Sequence, residues 1–574
     1  MLKKIKNFLK EKKKKSNAFN PEEYFTEKSD EGIVLGKYDG KLLVEASNEP
    51  VCLIAHKEKE TEKNVSATVP TLLSHWKEST VIFDPEGDIY SSTSGARKEK
   101  LGNLILRFET GLSSSCSYNP LSEVRILSEH DIDDARVISE ALLSEEKKPY
   151  FNHSARDVLD GIILYEAYKS FLKNPKFITE FGIKRALSSA TLKDVIEFID
   201  SLGSGEEARK KIKEILQENF FERYAKDENI ARQVHENLSN AYSEDAYAKG
   251  NEITERLHPR IAKSLQLALS FPPEVLEAVL KTLGYALEPF RKIENISGSD
   301  FRISYLANSE RPVSLYLTGK KREDLVLSKI LVSQALDILT SEMDFNDFTG
   351  HRHRLLVVLD DFPSLGRINF LEEGIKYFSG YGIKIFAALN SLKDYFNVYR
   401  DDSLLCGFKT QIFFTAGDAE TAEYASKAFG KVQKHHHFWD SKIVHHEKEY
   451  FSKDDLLNLP SDKAVIKVFG KEPAVIDKFV PDEKYAALES IPYIYSESLA
   501  DSRRQYIRLT EKQKAESGCP YTYMPYPGAF KEMAKDVESK EKENGSEKEK
   551  EFVRRKQIDA YNVFKKVSEY FMNE

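Results

Sequence analysis

The residues with the clearest chemical potential are Asp360 and Asp361, an acidic pair that closes the apolar run LLVVL at 355–359. Five apolar residues ending in carboxylates form the pattern of a buried parallel strand that delivers oxygen ligands to its C-terminal edge. In α/β domains that hydrolyse nucleotides, this edge faces a metal-bound phosphate. A second apolar run at 383–389 ends on Asn390 and Ser391, so two strand ends present polar groups to one crevice. A third, TVIFDPEGDIY at 80–90, reads as another buried strand ending in Asp84, Glu86 and Asp88.

Several segments here carry a family resemblance. DDFPSLG from Asp360, GYGIK from Gly380 and LNSL from Leu389 resemble the Walker B region and the following motif of type IV secretion coupling proteins, the TraG-like conjugative DNA-transfer ATPases. SYNPL at 117–121 and SARDVLDGIILYEAY at 154–168 match in the same order. The resemblance implies an α/β chain with a RecA-like, P-loop-type nucleotide-binding domain and an inserted all-α domain. It implies ATP and Mg2+ as cofactors of an active member, a homo-hexamer, channel components as partners, and DNA or protein as cargo. By the same resemblance Asp360 orients the magnesium, Asp361 replaces the glutamate that polarises water, and Asn390 replaces the glutamine that senses the γ-phosphate. Both replacements are one methylene shorter, and a displacement of about 1 Å can cost on the order of a hundredfold in rate.

The phosphate loop is where the chain departs from the family. GIVLGKYDGKLLV from Gly32 resembles the entry hairpin, and VCLIA from Val51 the strand that precedes the loop. Glycines there would permit positive φ and leave room for phosphates at a helix N-terminus. Counted back from PTLL at 70–73 and Trp76, which resemble the helix after the loop, Lys63 takes the phosphate-binding lysine position. Asn64 takes the small or hydroxyl position, and Glu62 that of a glycine. Glu58, Glu60 and Glu62 would face a triphosphate, with like-charge repulsion of several kcal/mol at an effective dielectric of about 20. The Walker A loop therefore reads as degenerate, and a pseudo-ATPase is the expectation.

A chain of 574 residues with 41% hydrophobic and 31% charged content provides more than one core. A net charge of −8 excludes a generic polyanion binder, so nucleic-acid contact must come from local basic patches. Cys52, Cys116, Cys406 and Cys519 have no CxxC spacing, which fits a reducing compartment, and Cys52 and Cys406 read as core residues. No run is apolar enough to span a membrane, and no signal-peptide core appears, so the expected location is cytoplasmic. Residues 1–15 hold eight lysines and one glutamate with apolar residues at helix-face spacing. They read either as a peripheral contact with the inner face of the membrane or as a solubilising terminus.

Five segments are expected: a basic N-terminus at 1–30, the two parts of the RecA-like domain at 31–152 and 296–490, an all-α domain at 153–295, and a charged, partly disordered extension at 491–574. The middle segment shows cap-like Ser154, Thr191 and Ser204 and no strand-like run. The basic turn GKKRED from Gly319 makes Lys320, Lys321 and Arg322 the candidates for DNA-backbone contact. His435, His436, His437, His445 and His446 lack the fixed spacing of a structural zinc set and read as an exposed polar connection. The amphipathic stretch at 552–571 reads as a docking helix or as a helix packed on its own domain. The expected function is cargo recruitment to a type IV secretion or conjugation channel with weak or no ATP hydrolysis. An active hexameric ATPase motor and a nucleic-acid-binding mobilisation factor are the alternatives.

Overall fold

A computed structural model describes residues 19–24, 32–55, 64–143, 149–180, 183–242, 256–341, 351–437 and 443–493. The segment 1–15, the loop with Lys63, Cys519 and the stretch at 552–571 lie outside the described residues.

The entry hairpin is β1 (Ile33–Tyr38) and β2 (Lys41–Glu45), followed by β3 (Val51–Ile54), β4 (Ser79–Phe83) and β5 (Leu104–Phe108). After β6 (Lys176–Glu180) and β7 (Ile183–Leu187) come β8 (Val313–Leu317), β9 (Leu355–Leu359), β10 (Ile383–Leu389) and β11 (Thr410–Phe413). The last four are β12 (Lys431–His437), β13 (Ile443–Glu449), β14 (Lys463–Val468) and β15 (Ala474–Asp477). Eleven of them form one sheet in the order β2-β1-β15-β14-β11-β3-β10-β9-β4-β8-β5. From β11 to β5 every pairing is parallel, and β14, β15, β1 and β2 extend the sheet antiparallel.

The apolar runs form these strands because both faces of the sheet are covered. Leu355, Val357 and Leu359 of β9 join one core, while Leu356 and Val358 join the other. The first core continues into the helical region, so sheet and helices share apolar packing. Helix Arg322–Ser341 buries Leu327, Ile330, Leu331, Ile338 and Leu339.

The helical region contains helices Asp131–Leu142, Pro149–Lys173, Leu192–Leu202, Gly205–Gln217, Glu228–Ala241, Pro259–Ser270 and Pro273–Leu287. Thr191 and Ser204 cap their helices in reciprocal capping boxes with Asp194 and Glu207. Four expectations need correction. Ser154 is inside helix Pro149–Lys173, because a proline is accommodated in a first helical turn and the helix begins there. The region is not free of strands: β6 and β7 pair as an antiparallel hairpin, with Phe177 packed edge-on against Phe171 at 5.4 Å. Cys406 is exposed, since Leu404 and Leu405 take the inward positions of its short helix. The histidine-rich stretch is also more regular than a connection, with His435 opposite His445 across the β12–β13 hairpin.

Candidate functional site

Five neighbouring parallel strands, β3, β10, β9, β4 and β8, end along one edge. The residues that follow them are Ala55, Asn390, Asp360, Asp84 and Thr318. Backbone bonds hold the ends in line: Ala55 N–H donates to Leu389 O at 3.0 Å, Asp360 N–H to Phe83 O at 3.1 Å, and Asp84 N–H to Leu317 O at 2.9 Å. Because Ala387 pairs with Leu359, Asn390 extends two residues beyond Asp360 along the strand direction, roughly 7 Å.

Asp360 is buried at 2% exposure and Asp84 at 0%. Asp84 caps the turn into helix Asp88–Glu99: Oδ1 accepts from Gly87 N–H at 3.0 Å and Oδ2 from Tyr90 N–H at 2.7 Å. Gly87 takes φ +79° in that turn, a conformation that suits glycine. Burial pushes the Asp84 carboxyl up to about 7; the Tyr90 N–H opposes this shift, and the adjacent Asp360 charge adds to it. Sequence reading placed Asp84 at a strand end but left it out of the site. The signal was present, since VIFD at 81–84 repeats the apolar-run-then-aspartate pattern of VVLD at 357–360.

Asp361 has left-handed backbone angles, φ 54° and ψ 50°, and precedes the short 3-10 helix Phe362–Leu365. Its carbonyl accepts from Ser364 N–H at 2.9 Å, so the chain turns sharply out of the strand here. Asn64 begins the helical stretch after the loop, is 7% exposed, and its Oδ1 meets no donor among the described residues. Lys320, Lys321 and Arg322 are exposed on the turn after β8. That turn is stitched to the Asp84 turn, with Gly319 N–H donating to Pro85 O at 3.3 Å and Lys320 paired with Glu86. The Glu86 charge is thus offset by a cation.

The structure therefore brings Asp360, Asp84 and Asn390 to one edge, and places the basic turn at the β8 end, three strands beyond Asn390. Carboxylate and amide oxygens are the hard donors that magnesium takes. Asp360 and Asp84 offer two buried carboxylates on neighbouring strand ends, and no group of three or more histidine, cysteine, aspartate or glutamate side chains among the described side chains could hold a metal ion.

A family model described as "Type IV secretory system Conjugative DNA transfer" matches residues 6–480. A conjugal transfer protein TraG of Escherichia coli is 27% identical over 419 residues, 70% of this chain and 58% of that protein. Protein VirD4 of Agrobacterium fabrum is 24% identical over 376 residues, 64% of this chain and 48% of that protein. The chain thus spans between about half and three-fifths of the length of these curated relatives. Among solved structures, the bacterial conjugative coupling protein TrwBΔN70 in its sulphate-bound trigonal form is similar, with a TM-score of 0.51 and 14% identity. The match covers 81% of this chain and 93% of that one, and the likeness is one of fold: a RecA-like α/β domain with a helical insertion.

Proposed function

Because this chain belongs to the type IV secretory system conjugative DNA transfer family, we propose that it recruits DNA or protein cargo to a secretion or conjugation channel, with weak or no ATP hydrolysis. The observation that carries the catalytic part of this reading is Asp361. It occupies the position of a water-polarising glutamate with a side chain one methylene shorter, on a backbone held in a left-handed turn. A general base must come within hydrogen-bond reach of the water it orients, and a shortened side chain on a fixed turn works against that.

Within the proposal, Asp360 and Asp84 hold the metal end of the site, and Asn390 contributes a side-chain amide beside them. Lys63 and Asn64 are the nucleotide-contacting positions of the loop. Magnesium, when bound, would neutralise charge on the β- and γ-phosphate oxygens. Lys320, Lys321 and Arg322 are assigned to cargo DNA, where their contribution would be backbone contact without sequence readout. A homo-hexamer and a peripheral membrane contact through residues 1–15 complete the proposal; no helix among the described residues is long and apolar enough to cross a membrane.

The test is a titration of the full chain with labelled ATP and magnesium, followed by a turnover assay. The expected result is no saturable binding below millimolar nucleotide and no turnover. Tight binding with turnover that disappears in Asp360→Ala would establish a motor and overturn the proposal.

A further inference from the structure

Between helix Ala419–Phe429 and helix Lys453–Leu457 the chain runs out and back as β12 and β13, a two-stranded sheet separate from the large one. Its base is fastened on the neighbouring helix. Tyr450 N–H donates to Gly430 O at 3.2 Å, and Phe451 packs edge-on against Phe429, 5.7 Å between ring centres. From that base the cross-strand pairs run from Lys431 opposite Glu449 to His437 opposite Ile443. The backbone sets this register, while the side chains from 432 to 448 lie outside what the structure describes.

Register sorts the histidines, because successive strand residues alternate between two faces and directly opposite residues share one. His435 and His445 are opposite each other, and His437 is two residues on from His435, so these three belong to one face. His436 and His446 fall on the other face, His436 opposite Val444 and His446 opposite Lys434. Adjacent histidines in the sequence thus become an H-x-H pair on one strand with a third histidine across from it. On one face, opposite residues are about 4.5–5.5 Å apart between Cβ atoms, and diagonal neighbours about 7–8 Å apart. Lys431 and Glu449, the pair of the three-histidine face at the hairpin's base, are both exposed, so that end of the face opens to solvent.

Three imidazoles on one face at these spacings supply the donor set of an open tetrahedral zinc site, with Zn–N of about 2.0–2.1 Å and a fourth position left to water. Imidazole suits zinc, whereas magnesium takes oxygen donors. A two-stranded hairpin on its own is marginally stable in water. An ion held by both strands would therefore also hold them together, its binding free energy becoming folding free energy. We propose that His435, His437 and His445 bind one Zn2+ and that the ion clamps the β12–β13 hairpin. The hairpin is in a different sheet from Asp360, and the site does not depend on nucleotide binding.

The full chain is stripped with a chelator, freed of it, and titrated with Zn2+ against a competing indicator, while tryptic cleavage at Lys434 and Lys448 is followed by mass spectrometry. One zinc per chain is expected, with cleavage at both lysines slowed several-fold when it is bound. Its affinity should fall as the pH drops through about 6.5, because the imidazoles bind metal only when unprotonated. His435→Gln, His437→Gln and His445→Gln should each weaken zinc by about 100-fold or more, since changes one shell further out already cost about 10- to 100-fold. The double variant His436→Gln/His446→Gln removes two histidines from the other face and should leave the affinity unchanged. The proposal is overturned if zinc fails to bind, if several ions bind with equal affinity, or if zinc binds without slowing cleavage at the two lysines. Equal weakening by the double variant and by a single variant of the three-histidine face would also overturn it, showing a general attraction to a histidine-rich surface.

Discussion

His351 and His353 fasten the start of β9, the strand that carries Asp360. His351 Nε2–H donates to Leu339 O at 2.7 Å and His353 Nε2–H to Ser309 O at 2.9 Å. Burial depresses both imidazoles. For His353 it lowers the value to about 4 with help from Arg352, against the Ser309 hydrogen bond. An unfolded histidine takes its proton near 6.5, so between pH 6.5 and 4 the unfolded chain binds more protons than the folded one. Stability is therefore full above pH 6.5 and falls as the pH drops towards 4, with His353 contributing up to about 3 kcal/mol, less what its partial exposure screens. His353→Gln retains an N–H donor and removes the titration. Urea unfolding at pH 7, 5.5 and 4.5 should give a shallower slope for the variant, and parallel slopes would show that another group controls acid sensitivity.

Helix Asp88–Glu99 links the site edge to a strap at the end of the described chain. Its first turn donates Tyr90 N–H to Asp84, and its last turn holds the buried Arg97. Arg97 donates to Ser314 Oγ, Leu72 O, Trp76 O and Glu78 O at 2.7–2.8 Å. Midway along, Gly95 lets the strap in: a Cβ there would lie 2.2 Å from Pro492 O and 2.6 Å from Ile491 O. Beyond it Tyr493 packs on Tyr90, 5.8 Å between ring centres. Alanine favours a helix interior over glycine by about 1 kcal/mol, so Gly95→Ala should keep the helix and expel the strap. Tryptic cleavage at Lys484 should accelerate while overall unfolding changes little; an unchanged cleavage rate would mean that the strap is held elsewhere. This element also marks the boundary of what a sequence reveals. Apolar runs ending in polar residues identified β4, β9 and β10, because burial on both sheet faces leaves a continuous local signature. Gly95 sits in an ordinary helical pattern, and its reason lies almost four hundred positions away, in a contact that no local periodicity encodes. Cys406 and the β6–β7 hairpin were misread for a related reason: which apolar residue of a short segment faces inward is settled by its tertiary neighbours.

The sheet and the helical region behave as one molecule because helix Arg322–Ser341 belongs to both. It follows β8, packs in the core of the sheet, and meets helix Asp131–Leu142 across a buried ion cluster. Arg125 donates to Asp134 at 2.6 Å and to Asp337 at 2.5 Å, and Tyr118 OH reaches Gln334 on the same helix at 2.5 Å. Burial pushes the Asp337 carboxyl up to about 6 even though the Arg125 charge pulls it down. Removing the guanidinium leaves two carboxylates facing each other in a dry interface, and breaking such a buried pair costs about 3–5 kcal/mol. The sign with pH follows from the raised value. In Arg125→Met the lowering Arg125 charge is gone and the Asp337 carboxyl rises further, so the loss should be smaller at low pH, where Asp337 is protonated and neutral, and larger at high pH, where both carboxylates carry charge. Because the cluster joins the two regions, the variant should also separate what the native chain unfolds together. Calorimetry at pH 8 is expected to show two transitions in Arg125→Met against one in the native protein, converging again at pH 5. A single transition lowered equally at both pH values would place the coupling in the shared apolar core instead.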